Sequence, residues 1–299
     1  LAQFPDTSWG PTVADWVDSA FTWMTDTFRG LTQAIVDGVS NVLLNPLQEL
    51  LAESPWWLTA LAILALAVVF GGARAAVPTV ICLAGIRFFG LWHDTMLTLT
   101  MVLVATLLVM VLAVVFGVWM ARSRAVDLAL RPLLDAGQTI PPFVYLIPVL
   151  GLFGPTRFTA IFAGVVYAAP VAIKLVADGV RGVSPSTVEA SRSTGATTWQ
   201  EITKVQLPMA RGSVVLAANQ GLLYVLSMVV IGGLVGAQAL GYDVVLGTSR
   251  SEEWGKGAAA GITIVLLGIM LDRIMRAAAD NDPVTHDPTK RSWWRAMAG

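Results

Sequence analysis

Seven long apolar stretches, roughly 56–72, 76–92, 95–121, 138–153, 158–180, 211–236 and 256–278, dominate this 299-residue chain. A helix needs about 20 apolar residues, within a range of about 17–25, to cross the hydrocarbon core of a bilayer. The first, second and fourth runs are short by that measure, and the third is long enough to tilt or project. The runs are continuous rather than alternating, which argues against a membrane β-barrel. Lipid then leaves the helix as the structure that satisfies its own backbone. Only 13 % of the residues are charged, against about 25 % in soluble domains. The sequence therefore specifies an all-α integral membrane protein with about seven transmembrane helices.

Basic residues orient it. With the C-terminus in the cytoplasm and the runs alternating backwards, fourteen of the 19 Lys and Arg fall on the cytoplasmic side. Arg29, Arg157, Arg250 and Lys256 fall outside, and Arg87 lies within a run. That is a positive-inside distribution with the N-terminus outside. Residues 1–55 form an extracytoplasmic segment in which Trp16, Ala20, Trp23, Phe28, Leu31 and Ile35 make a rough helical stripe. This predicts an amphipathic helix on a membrane surface or against the bundle. The first ten residues lack the charge and apolar run of a signal peptide. Residues 56–92 read as two accessory spans, 93–279 as a five-helix core, and 280–299 as a cytoplasmic tail. In the tail, Lys290, Arg291, Trp293, Trp294 and Arg295 suit contact with membrane lipid.

A net charge of −1 gives no basic face for nucleic acid. Cys82, the one cysteine, lies in an apolar run and reads as a small buried hydrophobe. His93 and His286 have no partners at metal-ligand spacing, so no metal site is expected. No catalytic residues are expected either, because the sequence holds no buried acid pair, zinc-protease motif or nucleophile elbow. The Gly-Lys of "EEWGKGAAAG" lacks the upstream glycine and the Ser/Thr of a phosphate loop.

One polar stretch, "VEASRSTGATTWQEITKVQLP" (188–208), interrupts two apolar runs on the cytoplasmic side. Ser186 with Glu189 and Thr198 with Glu201 fit the capping-box pattern of two helix starts. Gly195 stands between them as a left-handed helix end, and Pro208 bars continuation. Trp199, Ile202 and Val205 would form an apolar ridge with no membrane to bury it, the mark of a partner surface. Glu189-Ala190-Ser191, Gly195, and Val205-x-Leu207-Pro208 keep every spacing of the EAA loop and resemble that loop in ABC-importer permeases. Ser191 stands where the family pattern has Ala. The resemblance implies a type I importer transmembrane domain whose loop, about 184–208, docks on a separate ATPase. Two ATPase subunits would carry the ATP and magnesium, this chain binding no cofactor itself.

The segments "RPLLDAGQTIPPFVYLIPVLGLFG" (131–154), "LSMVVIGGLVGAQALGYDVVLG" (226–247) and "LDRI" (271–274) resemble the permeases of glycine betaine/proline betaine importers. That resemblance implies import of a compatible solute, a second permease copy, and an extracytoplasmic substrate-binding protein, periplasmic or lipid-anchored. Importers of choline, carnitine, amino acids or vitamin precursors share the loop and stay open as alternatives. A secondary transporter would need ion-coupling acids or internal repeats in the spans, and the sequence has neither.

Candidate substrate-path residues come from two runs. Pro141, Pro142 and Pro148 interrupt the fourth, as in broken helices that line transport paths, and Phe143 and Tyr145 offer aromatic faces to a quaternary ammonium. In the sixth, Gln220, Tyr224 and Ser227 recur at helical spacing with Asn219 alongside, and polar groups at membrane depth face interiors or wet cavities. Gly232, Gly233, Gly236 and Gly241 predict close packing or a turn dipping back at the outer end. Lys174, Asp178 and Arg181 predict an ion-pair row near the inner end of the fifth run.

Overall fold

The computed structural model describes residues 9–280; residues 1–8 and 281–299, with His286 and the basic and tryptophan residues of the tail, lie outside the described residues. Every regular element among the described residues is helical. Helix α1 (Trp9–Val39) runs into alternating π and α turns over Ser40–Glu53, which stop at the extended Ser54-Pro55. A Cβ on Gly151 would sit 2.1 Å from the Phe21 ring, so α1 rests against the chain there. The expected stripe is otherwise uncovered, with Trp16 and Trp23 74 % and 66 % exposed.

Helix α2 (Trp56–Phe88) covers 33 residues, but Gly72 inside it has φ 56° and ψ −147°, outside helical space, so it is two helices joined at a break. A straight helix of that length would span about 50 Å. Instead the Arg87 guanidinium lies 5.5 Å from the Trp56 ring. The chain therefore reverses at Gly72, in backbone territory open to glycine, and α2 is a hairpin of two antiparallel halves. The sequence places its break between two short runs at the same point.

Nine further helices follow among the described residues: α3 (Trp92–Arg122), α4 (Arg124–Thr139), α5 (Pro142–Phe153), α6 (Arg157–Arg181), α7 (Pro185–Ser193), α8 (Thr198–Glu201), α9 (Arg211–Ile231), α10 (Leu240–Ser249) and α11 (Trp254–Asp280), with shorter helical turns between them, one at Leu207–Met209. Among the described residues five helices are long and apolar enough to cross a membrane, and α4 with α5 forms a further pair bent by 102°. The run expected at 138–153 is thus a 12-residue helix, about 18 Å long, which cannot cross alone. Pro141 and Pro142 remove two amide donors and hold Ile140 extended, which sets the bend.

The core is the mutual packing of α3, α6 and α9. Gly117 on α3 faces Val176 of α6, and Gly221 on α9 faces Val109 of α3. Helix α11 packs against the second half of α2 through Gly85 and Leu266, and its far end meets the reversal, where Gly71 lies against Ala277. Lipid gives helices no hydrophobic reason to associate, so small residues that permit close approach carry the contact. Thr79, Thr95, Thr100 and Thr263 return their hydroxyl protons to carbonyls one turn back, so no buried hydroxyl of these four is left unpaired.

The chain turns back after α9 through Gly236 (φ 84°) into α10. Gly233 and Gly241 meet backbone to backbone, and the Leu240 amide donates to Thr98 Oγ1 of α3 at 3.2 Å. Asp243, 6 % exposed, pairs with Lys256 at 2.7 Å. Near the other end of α6 only half of the expected row forms: Arg181 pairs with Asp178 at 3.3 Å, while Lys174 reaches across to Asp135 and Gln138 of α4. An acidic partner on a neighbouring helix is closer than the one on its own.

Candidate functional site

The polar stretch folds as a helix, a glycine turn and a second helix. Ser184 is the N-cap of α7 with Pro185 at the first helical position, so Ser186 lies inside the helix and the expected Ser186–Glu189 box does not form. At its far end Gly195 has φ 80°, with the Gly195 amide donating to the Arg192 carbonyl at 2.9 Å and the Ala196 amide to the Ser191 carbonyl at 3.2 Å. That is the Schellman closure of a helix, which favours glycine at the left-handed position. Nothing lies within 4 Å of a Cβ built on Gly195, so conformation rather than space selects glycine.

The second capping box forms one residue earlier than expected. Thr197 caps α8, its hydroxyl accepting from the Gln200 amide at 3.3 Å while Gln200 Oε1 accepts from the Thr197 amide at 2.9 Å. Glu201 is thereby free to turn inward, where it is 2 % exposed. Its carboxylate accepts from Arg192 Nε at 2.8 Å and from Arg122 Nη1, at the end of α3, at 2.6 Å. Arg122 Nη1 also donates to Gln206 Oε1 at 2.8 Å. Arg192 first and Arg122 second hold the Glu201 carboxyl down at about 2. The loop is thus bolted to the end of a core helix by one buried carboxylate shared between two guanidiniums.

Beyond Glu201 the backbone makes a π turn over Ile202–Gln206, which breaks the expected i, i+3, i+6 ridge. Trp199 is 72 % exposed, whereas Ile202 and Leu207 pack on the core and Val205 is half-buried. Glu189, Ala190, Gly195 and Pro208 are exposed and Ser191 is half-buried. The side facing away from the bundle is therefore formed by Glu189, Ala190, Gly195 and Trp199.

The expected path residues separate into two groups. Tyr145 of α5 and Tyr224 of α9 come together through Tyr167 of α6, with ring centroids 6.0 Å and 5.3 Å apart. The Tyr145 hydroxyl donates to the Gly137 carbonyl at the end of α4, which fixes the ring beside the bend. Pro142 begins α5, Phe143 is 56 % exposed, and Gln220 is half-buried. Ser227 is exposed and returns its hydroxyl proton to the Leu223 carbonyl at 3.0 Å. Asn219 points elsewhere: buried at 5 % exposure, it donates to Asp272 of α11 at 3.0 Å.

Sequence reasoning missed Arg122, Arg192, Gln206 and Tyr167, and took Glu201 only as a cap. Tyr167 had a signal, since it is one of four tyrosines in the chain and stands alone in an apolar run. Arg122 and Glu201 are 79 positions apart, and nothing local joins them.

Comparison with known proteins finds a family model described as the binding-protein-dependent transport system inner membrane component, matching residues 113–280. The chain is 42 % identical over 186 residues to the glycine betaine/carnitine transport permease protein GbuB of Listeria monocytogenes, covering 62 % of this chain and 66 % of that one. It is 36 % identical to the glycine betaine/proline betaine transport system permease protein ProW of Escherichia coli, covering 88 % and 73 %. With the glycine betaine transport system permease protein OpuAB of Bacillus subtilis it shares 34 % identity over 88 % of this chain and 92 % of the relative. Among solved structures, an inward-facing conformation of the MetNI methionine ABC transporter superposes with TM-score 0.55 at 25 % identity, covering 63 % of this chain and 95 % of that one.

Proposed function

The chain belongs to the family of binding-protein-dependent transport system inner membrane components, a multi-pass permease of the plasma membrane, and from that premise we propose that it imports glycine betaine or a related compatible solute on ATP hydrolysed by a separate subunit. The observation that carries the coupling is the loop bolted to α3 through Glu201 while Trp199 and Gly195 face outward. Two ATPase subunits with their ATP and magnesium would receive that outward face, Glu189, Ala190, Gly195 and Trp199 making the contact with the half-buried Ser191 beside them. Ile202, Val205, Leu207 and Pro208 would set the loop's angle. Closure of the ATPases would then move Arg122, and with it α3, as one body.

Counting the two halves of α2 separately and α4 with α5 as one broken span gives seven crossings, with the N-terminus outside and the C-terminus in the cytoplasm. Residues 1–55 would form the outer segment, 56–92 the accessory hairpin, 93–279 the core and 280–299 the inner tail. The solute would pass beside Tyr145 and Tyr224, with Pro142, Phe143, Gln220 and Ser227 nearby and Asn219 supporting α9 from behind. Aromatic faces attract a quaternary ammonium by about 0.5–2 kcal/mol each, weak enough to release it. A second copy of this chain would complete the path, and an external binding protein would deliver the solute.

The choice of solute rests on the relatives, whose names include glycine betaine, and it has a direct test. In the reconstituted complex, binding protein loaded with glycine betaine is expected to raise the ATPase rate severalfold, and methionine is expected to leave it unchanged. Stimulation by methionine and not by glycine betaine would move the substrate to another class.

A further inference from the structure

The two halves of α2 do not close on each other at the end where the hairpin begins and finishes. They leave an open cleft of about 670 Å³, lined by Trp56, Trp57, Leu61, Val80 and Ala84 and reaching Trp92 at the start of α3. Almost all of the lining is apolar side chain. Arg87 stands at the mouth, its guanidinium 5.5 Å above the Trp56 ring, and Trp56 packs edge-on against Trp92 with centroids 6.3 Å apart. Among the described residues the Arg87 guanidinium has no carboxylate partner, and it rests on the face of Trp56.

Three tryptophans gathered at one end of a membrane hairpin mark the headgroup level of a leaflet. An arginine held there, stacked and unpaired, is a cation aimed at the layer where lipid phosphates lie. Below it the groove offers an acyl chain two apolar walls. The charge and the apolar groove complement the two parts of one molecule. We propose that the cleft binds a single anionic glycerophospholipid, with its phosphate on Arg87 and one acyl chain between the halves of α2. With the orientation proposed above, this is the outer leaflet; the site itself depends only on the gathering of these residues at one end.

The test is native mass spectrometry of the full chain released from nanodiscs holding equal amounts of phosphatidylglycerol and phosphatidylcholine. The wild type is expected to retain phosphatidylglycerol about fivefold over phosphatidylcholine, equivalent to the roughly 1 kcal/mol of one basic residue at a lipid surface. Arg87→Gln is expected to lose that preference while still retaining lipid, and Arg87→Lys to keep most of it. Ala84→Trp, which fills the groove, is expected to lose retained lipid of either kind. Arg87 is exposed and has no ion pair, so its replacement leaves no buried charge behind, and an unchanged melting temperature certifies the fold. Equal retention of the two lipids by the wild type would overturn the site. A preference that survives Arg87→Gln would do the same, as would one untouched by Ala84→Trp, which would indicate general surface attraction. If cysteine labelling instead placed position 93 on the cytoplasmic side, the orientation would fail and the lipid result would stand for the inner leaflet.

Discussion

Glu201→Ala is expected to reduce ATP-driven uptake at least tenfold while leaving the amount of assembled transporter nearly unchanged. Removing one member of a buried ion pair costs about 3–5 kcal/mol because the remaining charge is stranded. Arg192, with its side chain 60 % exposed, regains water, but Arg122 at 23 % does not, so the lower figure applies. The loop then parts from α3, and movement imposed on it no longer reaches the core. Replacing Arg122 and Glu201 together by methionine should restore the melting temperature, since an apolar pair replaces the ion pair without a stranded charge. It should not restore transport to the same degree, because the link to Gln206 and Arg192 is lost. Wild-type uptake by Glu201→Ala would remove the bolt from the mechanism.

The same carboxylate gives a pH signature. Its value falls from the usual 4.5 to about 2 in the folded chain. The stabilisation is therefore complete above about 4.5 and is lost as pH falls through about 2. The difference in melting temperature between wild type and Glu201→Gln should be constant from pH 7 to pH 5 and shrink below that. A difference that instead grows on acidification would contradict the assignment.

Gly241→Ala is expected to be strongly damaging at the other end of the bundle. Its Cβ would lie 2.3 Å from the Val230 carbonyl oxygen and 2.8 Å from the Val230 Cα. Both are backbone atoms, and no rotamer change relieves the clash. Overpacking typically costs about 1–3 kcal/mol, and a backbone contact belongs at the upper end. Helix α10 would be displaced, taking with it the Leu240 bond to Thr98 and the Asp243–Lys256 pair. Gly255→Ala and Gly261→Ala, where nothing lies within 4 Å of the new methyl, serve as controls and should be neutral in melting temperature. If Gly241→Ala melts with those controls, the close approach of α10 to α9 is not a constraint.

Features that depend on backbone chemistry were legible in the sequence. Gly195 is read as a left-handed helix end because a glycine between two polar helix patterns has little other use. The Pro141-Pro142 break follows from two missing amide donors, and the break near Gly72 from the gap between two short apolar runs. The capping boxes were less legible. Thr197 and Thr198 both offer a hydroxyl, and Gln200 and Glu201 both offer an acceptor three residues on, so the local pattern fits either register. What settles it is Arg122, which draws Glu201 inward and leaves Thr197 and Gln200 to cap the helix. The π turn at Ile202–Gln206 follows from the same inward pull on a segment that must also place Ile202 on the core. Tertiary partners decided these positions, and a partner 79 residues away leaves no trace in a local window.

The central claim is that this chain converts ATP hydrolysis into solute movement through the Gly195 loop. Liposomes holding the permease, its ATPase and its binding protein would be supplied with labelled glycine betaine, with and without enclosed ATP. Gly195→Val and Gly195→Asn would be measured beside the wild type. A residue with a side chain in the left-handed region costs about 1–2 kcal/mol, and asparagine tolerates it best. The expected result is ATP-dependent uptake, largely retained by Gly195→Asn and lost by Gly195→Val. Uptake that ignored both ATP and the valine substitution would contradict the account.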